Sequence, residues 1–112
     1  MAECIFCQIG SGKIPAEVVY QDETIMAFKD IHPKAPVHVL IIPKKHIISN
    51  ADITKDDLPI VAHMLEAANI VAQKEGVPGA YKLVMNTGAS AGQVVMHLHM
   101  HLLGGKKITA VV

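Results

Sequence analysis

His97, His99 and His101 alternate with Leu98, Met100 and Leu102. In an extended chain successive side chains point to opposite faces, so the three imidazoles share one face and the apolar residues the other. The apolar set can seal a core while the histidine set faces away from it. Imidazole offers two chemistries at such a position. It is a metal ligand, and in its neutral form it is a nucleophile and a base. Along a strand, the Cα atoms of His97 and His101 stand roughly 13 Å apart at about 3.4 Å per residue, which argues against all three holding one ion. In the nucleophilic reading His99 attacks, and flanking groups fix its tautomer and handle protons.

The neighbouring residues favour an anionic substrate. Residues 86–93 read Asn-Thr-Gly-Ala-Ser-Ala-Gly-Gln and lead straight into the histidine segment. Two glycines there could present backbone N–H groups to a phosphate, although the same composition also marks a plain turn. Asp30 closes a predicted strand and could accept hydrogen bonds from sugar hydroxyls. Cys4-x-x-Cys7 has three readings: a redox pair, which would want a βαβ context that is missing; two buried reduced thiols; or half of a Cys₂His₂ zinc site, whose histidines the spacing alone does not name. His32 reads as a loop histidine near the rim of a pocket, and Lys44 and Lys45 as a solvated exit turn.

These side chains need a scaffold. Residues 4–10 make a short helical piece that ends at Gly10-Ser11-Gly12. Residues 17–21 and 24–29 are rich in β-branched, aromatic and apolar residues and form a hairpin about Asp22-Glu23. Residues 37–42, apolar on both faces except for His38, read as a central strand closed by Pro43. One long helix runs from about residue 56 to 75. Thr54 and Asp57 form a capping-box-like start, Pro59 fits the first turn, and Gly76 with Pro78 stops it. Its expected buried stripe is Leu58, Val61, Leu65, Ala68 and Ala72, with His63 at the surface. Residues 81–86 and 94–103 supply two more strands. The result is a single α+β domain over residues 1–112 with a largely antiparallel sheet.

Composition excludes other classes. Hydrophobic residues make up 51% of the 112 residues, which rules out intrinsic disorder. Ten Lys and Arg balance ten Asp and Glu, against an electrostatic nucleic-acid binder or a membrane-surface protein. There is neither a targeting segment nor an apolar run of membrane length, so the expected location is the cytoplasm.

The chain resembles the histidine triad (HIT) family, specifically its Hint branch. The resemblance rests on residues 97–103 (His-Leu-His-Met-His-Leu-Leu), 27–31 (Ala-Phe-Lys-Asp-Ile) and 36–46 (Pro-Val-His-Val-Leu-Ile-Ile-Pro-Lys-Lys-His), with Asn86, Gly92 and Gln93. It implies a HIT-like fold, a sheet of about five strands with one long and one short helix, and a homodimer whose sheet continues across the interface. It implies cleavage at the α-phosphorus of purine nucleoside phosphoramidates through a covalent nucleotidyl–imidazole. His99 matches the nucleophile, His101 the member that contacts phosphate and aids proton transfer, and His97 and His38 the supporting histidines. Asp30 and Ile31 match ribose and base contacts; Asn86, Gly92, Gln93 and Val94 match the phosphate side. Cys4, Cys7, His46 and His97 match the ligands of a structural zinc that clamps the N-terminal segment away from the chemistry; no catalytic metal is expected. Alternatives are a dinucleoside polyphosphate hydrolase of the Fhit type, a nucleotide-binding module with little turnover, or a metallohydrolase using the triad as ligands. Two departures stand out: Val94 occupies a position where the branch usually has Ser or Thr, and residues 106–112 lack the Trp that some relatives carry.

Overall fold

A computed structural model describes residues 4–107; the C-terminal departure at residues 108–112 lies outside them. Helix α1 is Ile5–Gly10, followed by strands β1 (Val18–Gln21), β2 (Ile25–Lys29) and β3 (Val37–Pro43). Helix α2 (Leu58–Lys74), β4 (Tyr81–Val84) and β5 (Met100–Gly104) complete the chain. All pairings are antiparallel and the sheet order is β1-β2-β3-β5-β4. The expected α+β architecture is therefore present, with β3 central as its two-faced apolar run requires.

The period of two divides the sheet into two faces. Ile25 and Ala27 of β2, Val39 and Ile41 of β3, and Met100 and Leu102 of β5 pack against Met64, Ala67, Ala68 and Val71 of α2. Met26, Phe28, Leu40 and Ile42 form a second cluster with Phe6 and Ile9 of α1 on the other face. His38 alternates with Val39 and so falls on the α1 side. Leu40 pairs with His101 and His38 with Leu103, so the two histidines are diagonal neighbours across β3 and β5.

Three local expectations need correction. The ladder of the last strand begins at Met100, not at residue 94. Before it the chain is held otherwise: the Leu98 N–H donates to the Ile47 carbonyl at 2.6 Å, beside the strand frame rather than within it. The buried face of α2 is Met64, Ala67, Ala68, Val71 and Ala72, whereas Leu58 and Leu65 are 55% and 50% exposed. This helix carries more apolar residues than one face can bury, and the small alanines allow close approach to the sheet. Periodicity therefore placed Ala68 and Ala72 correctly but set Leu58 and Leu65 in the stripe where Met64, Ala67 and Val71 are buried. His63 is a half-buried bridge between α2 and the β1–β2 turn, bonded to Asp22 at 2.5 Å and Glu66 at 2.9 Å.

The helix start is as expected. The Thr54 N–H and hydroxyl both donate to Asp57 Oδ2 at 3.0 Å. Lys45, expected in a solvated turn, bonds Asp57 Oδ1 at 2.6 Å. That contact, ahead of the Thr54 bonds, holds the Asp57 carboxyl down at about 2. Among the described residues no helix is long and apolar enough to cross a membrane.

Candidate active site

His99 leaves the chain just before β5 and is 6% exposed. Its Nδ1 lies 2.7 Å from the carbonyl oxygen of His97. A carbonyl only accepts, so Nδ1 carries the proton and Nε2 carries the lone pair. Burial pushes the ring below the ordinary histidine range; the His97 carbonyl and the charge of Asp30 oppose that shift. A neutral imidazole with a fixed tautomer is the form that can attack an electrophile.

His101 is held in the opposite tautomer by a relay. The Lys34 N–H donates to His38 Nδ1 at 3.1 Å, which leaves the His38 proton on Nε2. That Nε2 faces His101 Nδ1 at 2.9 Å and Asp30 Oδ2 at 3.5 Å. His101 therefore accepts at Nδ1 and keeps its proton on Nε2. Burial, then the neighbouring His99 and His38 rings, push His101 down to about 4. Burial likewise lowers His38, against the pull of Asp30. The Asp30, His38 and His101 atoms are close enough to surround an ion. The donor set does not suit one: with Nδ1 accepting from Lys34, His38 would have to become an imidazolate to ligate through Nε2.

Asp30, His38, His99 and His101 line one cleft of about 480 Å³. Ile31, Asn86, Gly92 and Val94 also line it, so most of the expected nucleotide contacts are brought together. Ile31 is 86% and Val94 88% exposed at the rim. Gly92, with φ +101°, holds a left-handed turn in which a Cβ would meet the Asn86 amide at 3.5 Å.

Gln93 departs from expectation. It is buried, its side-chain oxygen accepts from the Gly88 N–H at 2.8 Å, and its amide nitrogen donates to the Ile48 and Val95 carbonyls. It builds the loop instead of lining the cleft. The N–H groups of Ala91, Gly92 and Gln93 also bond carbonyls within the loop, so these glycine-loop donors do not form the anion cradle the composition suggested.

His97 also turns away from the cleft. Its Nε2–H donates to the Pro43 carbonyl at 2.8 Å, so the Nδ1 lone pair faces Cys4 Sγ at 3.3 Å and Cys7 Sγ at 3.5 Å. His46 Nδ1 lies 3.3 Å from Cys7 Sγ. The ligand atoms of Cys4, Cys7, His46 and His97 all lie within 4.8 Å of one another. Two thiols and two imidazoles with a correctly placed lone pair suit a tetrahedral zinc, and a carbonyl partner on the far ring nitrogen of His97 is the usual support for such a ligand. The resemblance implied a cluster away from the histidine cleft; the structure instead puts it beside His99, because the His97 carbonyl is the partner of His99 Nδ1.

The sequence reading missed the apolar wall of the cleft. Ile5, Phe6 and Ile9 of α1 contribute to it with Phe28 and Leu40 of the sheet. Strand alternation could have placed Phe28 and Leu40 beside His38. Nothing in the N-terminal segment except its cysteines pointed toward the site.

Comparison with known proteins agrees with this geometry. The family model for "Scavenger mRNA decapping enzyme C-term binding" matches residues 3–110. The structure of a HIT family hydrolase from Legionella pneumophila Philadelphia 1 aligns with a TM-score of 0.92 at 49% identity, covering 96% of each chain. The chain belongs to the histidine triad family. Within that family, the purine nucleoside phosphoramidase of Escherichia coli K12 is 42% identical over 107 residues, 95% of this chain and 90% of the relative. The 14 kDa zinc-binding protein of Zea mays, 42% identical over 106 residues, spans 93% of this HIT chain and 83% of its own length.

Proposed function

We propose that this histidine triad protein is a hydrolase of purine nucleoside phosphoramidates, working through a His99 nucleotidyl intermediate. The observation that carries the reading is the His99 ring, with Nδ1–H anchored on the His97 carbonyl and the Nε2 lone pair left for the cleft. The apolar wall receives the purine, and Asp30 and Ile31 hold the ribose and base. Asn86, Gly92 and Val94 face the phosphate side.

The chemistry proceeds by two displacements. His99 Nε2 attacks the α-phosphorus and the P–N bond breaks. An anionic phosphate beside His101 favours uptake of one solvent proton at its Nδ1, with the His38 Nε2–H turning to Asp30 Oδ2; the resulting imidazolium gives its Nε2 proton to the departing amine. Neutral His101 then takes a proton from the water that attacks the His99–phosphorus bond. AMP leaves, the Nδ1 proton of His101 returns to solvent, and both rings return to their starting state. One difficult displacement becomes two easier ones, and cationic His101 offsets charge on the phosphoryl oxygens.

Cys4, Cys7, His46 and His97 would hold a structural zinc. When bound, such an ion cross-links α1 to the loops that carry His46 and His97. A homodimer through the β4 edge fits the sheet order, since β4 is terminal and Leu83 is 36% exposed.

Incubation with an AMP–amine conjugate tests the reading. Wild type releases AMP, and a rapid alkaline denaturing quench, in which the phosphorus–imidazole bond survives, traps a nucleotidyl group on His99; His99→Ala does neither. Equal AMP release by both proteins would overturn it. Faster cleavage of diadenosine polyphosphates than of phosphoramidates would move the assignment to the dinucleoside class.

A further inference from the structure

The cysteine–histidine cluster and the cleft share one short piece of chain. Cys4 caps α1, its Sγ accepting from the Cys7 N–H at 3.4 Å. Phe6 sits between the two cysteines. Its ring meets His97 at 5.9 Å, His99 at 5.1 Å and Phe28 at 5.6 Å between centroids, all edge-on. One α1 residue thus touches a metal-ligand candidate, the proposed nucleophile and the cleft wall. Edge-to-face contacts of this kind fix ring orientation beyond simple packing. The second hold on His99 is the His97 carbonyl, and the His97 ring is itself set by the two thiols and Pro43.

Helix α1 has six residues. A helix this short has little stability of its own, so its place depends on what fixes its ends and its buried face. Phe6 and Ile9 supply the face, and the cluster supplies the N-terminal end.

We propose that Phe6 is a positioning residue for His99, and that the Cys4–Cys7–His46–His97 cluster is the clamp that keeps Phe6 and the apolar wall in place. Release of the clamp frees α1, opens that wall of the cleft, and lets the His99 ring populate its other tautomer. Nucleotide affinity and nucleophile orientation are therefore both controlled from the thiol cluster. This inference rests on the proposed role of His99, but one of its readouts needs no nucleotide.

That readout is the pair of ring ¹⁵N shifts of His99, which report its tautomer. In the protein as purified with zinc, a single Nδ1–H form is expected. Removing zinc with a chelator, or changing Cys4→Ser with Cys7→Ser, gives a mixture of tautomers and at least tenfold weaker AMP binding by calorimetry. Phe6→Ala does the same with the thiols intact, whereas Phe6→Leu restores the wall and AMP affinity but not the single tautomer. A role limited to stability would lower the melting temperature of these variants and leave the tautomer unchanged. An unchanged His99 tautomer in folded Phe6→Ala, or in the metal-free protein, overturns the proposal. If AMP neither binds nor is released by wild type, the functional reading fails instead, and the shifts still decide the positioning question.

Discussion

His99 and His101 lie two residues apart, yet their neighbours give them opposite tautomers. The His97 carbonyl takes the Nδ1 proton of His99, and the Lys34–His38 relay leaves His101 with its proton on Nε2. In the proposed reaction this division readies one ring to attack and the other to carry a proton. This division predicts a dependence on leaving group. His101→Ala loses about 10²–10⁴-fold in kcat for an AMP–alkylamine, the usual range for a positioned acid. It loses far less for an AMP ester of an acidic phenol, which leaves without protonation. Steady-state rates on the two substrates check it, and an equal loss on both would remove His101 from proton transfer. His38→Ala leaves the His101 tautomer without its donor, and a smaller loss of the same selectivity is expected.

At the scale of elements, α2 is placed by its small buried face and by two electrostatic ties, the first of them Lys45 to Asp57 at its start. Met64 is fully buried. Met64→Ala should lower stability by about 2–5 kcal/mol through lost burial and a cavity. Leu65→Ala, at a half-exposed position, should lower the stability of the separated chain by under about 1 kcal/mol. Urea unfolding of both variants tests which stripe faces the sheet.

The second tie is the Tyr20–Asp22–His63–Glu66 network. The Asp22 bond, with help from Glu66, holds His63 above its ordinary range despite burial. Burial pushes the Asp22 carboxyl up, but bonds from His63, Tyr20 and the Thr24 and Ile25 N–H groups outweigh it and hold the group well below the usual carboxylate range. The His63 contribution is complete below the unfolded value of 6.5 and fades as pH rises through the raised folded value. The Asp22 contribution is complete above 3.8 and fades as pH falls through its lowered folded value. The stability difference between wild type and His63→Ala should therefore be largest between those two values and shrink toward pH 9. A melting-temperature gap that grows with pH would contradict the ion pair.

For the whole molecule, the terminal β4 strand and the outward Leu58 and Leu65 of α2 are among the apolar surfaces left by the described residues, as are the terminal β1 strand with Val18 and the cleft rim. A second copy adding its own β4 would satisfy the strand edge. If the proposed β4 homodimer forms, wild type scatters light as a dimer and Leu83→Pro as a monomer. A monomeric wild type would remove the dimer, and a dimeric Leu83→Pro would place the interface elsewhere.

Much of this protein was legible in its sequence because the deciding patterns are local. Alternation of His with Leu and Met put His99 and His101 on the cleft side, though not His97. Two-faced apolar character gave the central strand, and Thr54, Pro59 and Gly76 gave the limits of the long helix. Asp30, Ile31, Asn86, Gly92 and Val94 were expected at the nucleotide and all line the cleft. Tertiary structure decided what depends on partners distant in the chain. It sent the His97 ring to Cys4, 93 residues away, turned Gln93 inward to Ile48, and made the N-terminal helix a wall of the site. It also buried Met64, Ala67 and Val71 of α2 beside the expected Ala68 and Ala72, and left Leu58 and Leu65 outside. Periodicity says which residues share a face, but only packing settles what that face meets, because contact energy depends on the shape and polarity of a surface that another part of the chain supplies.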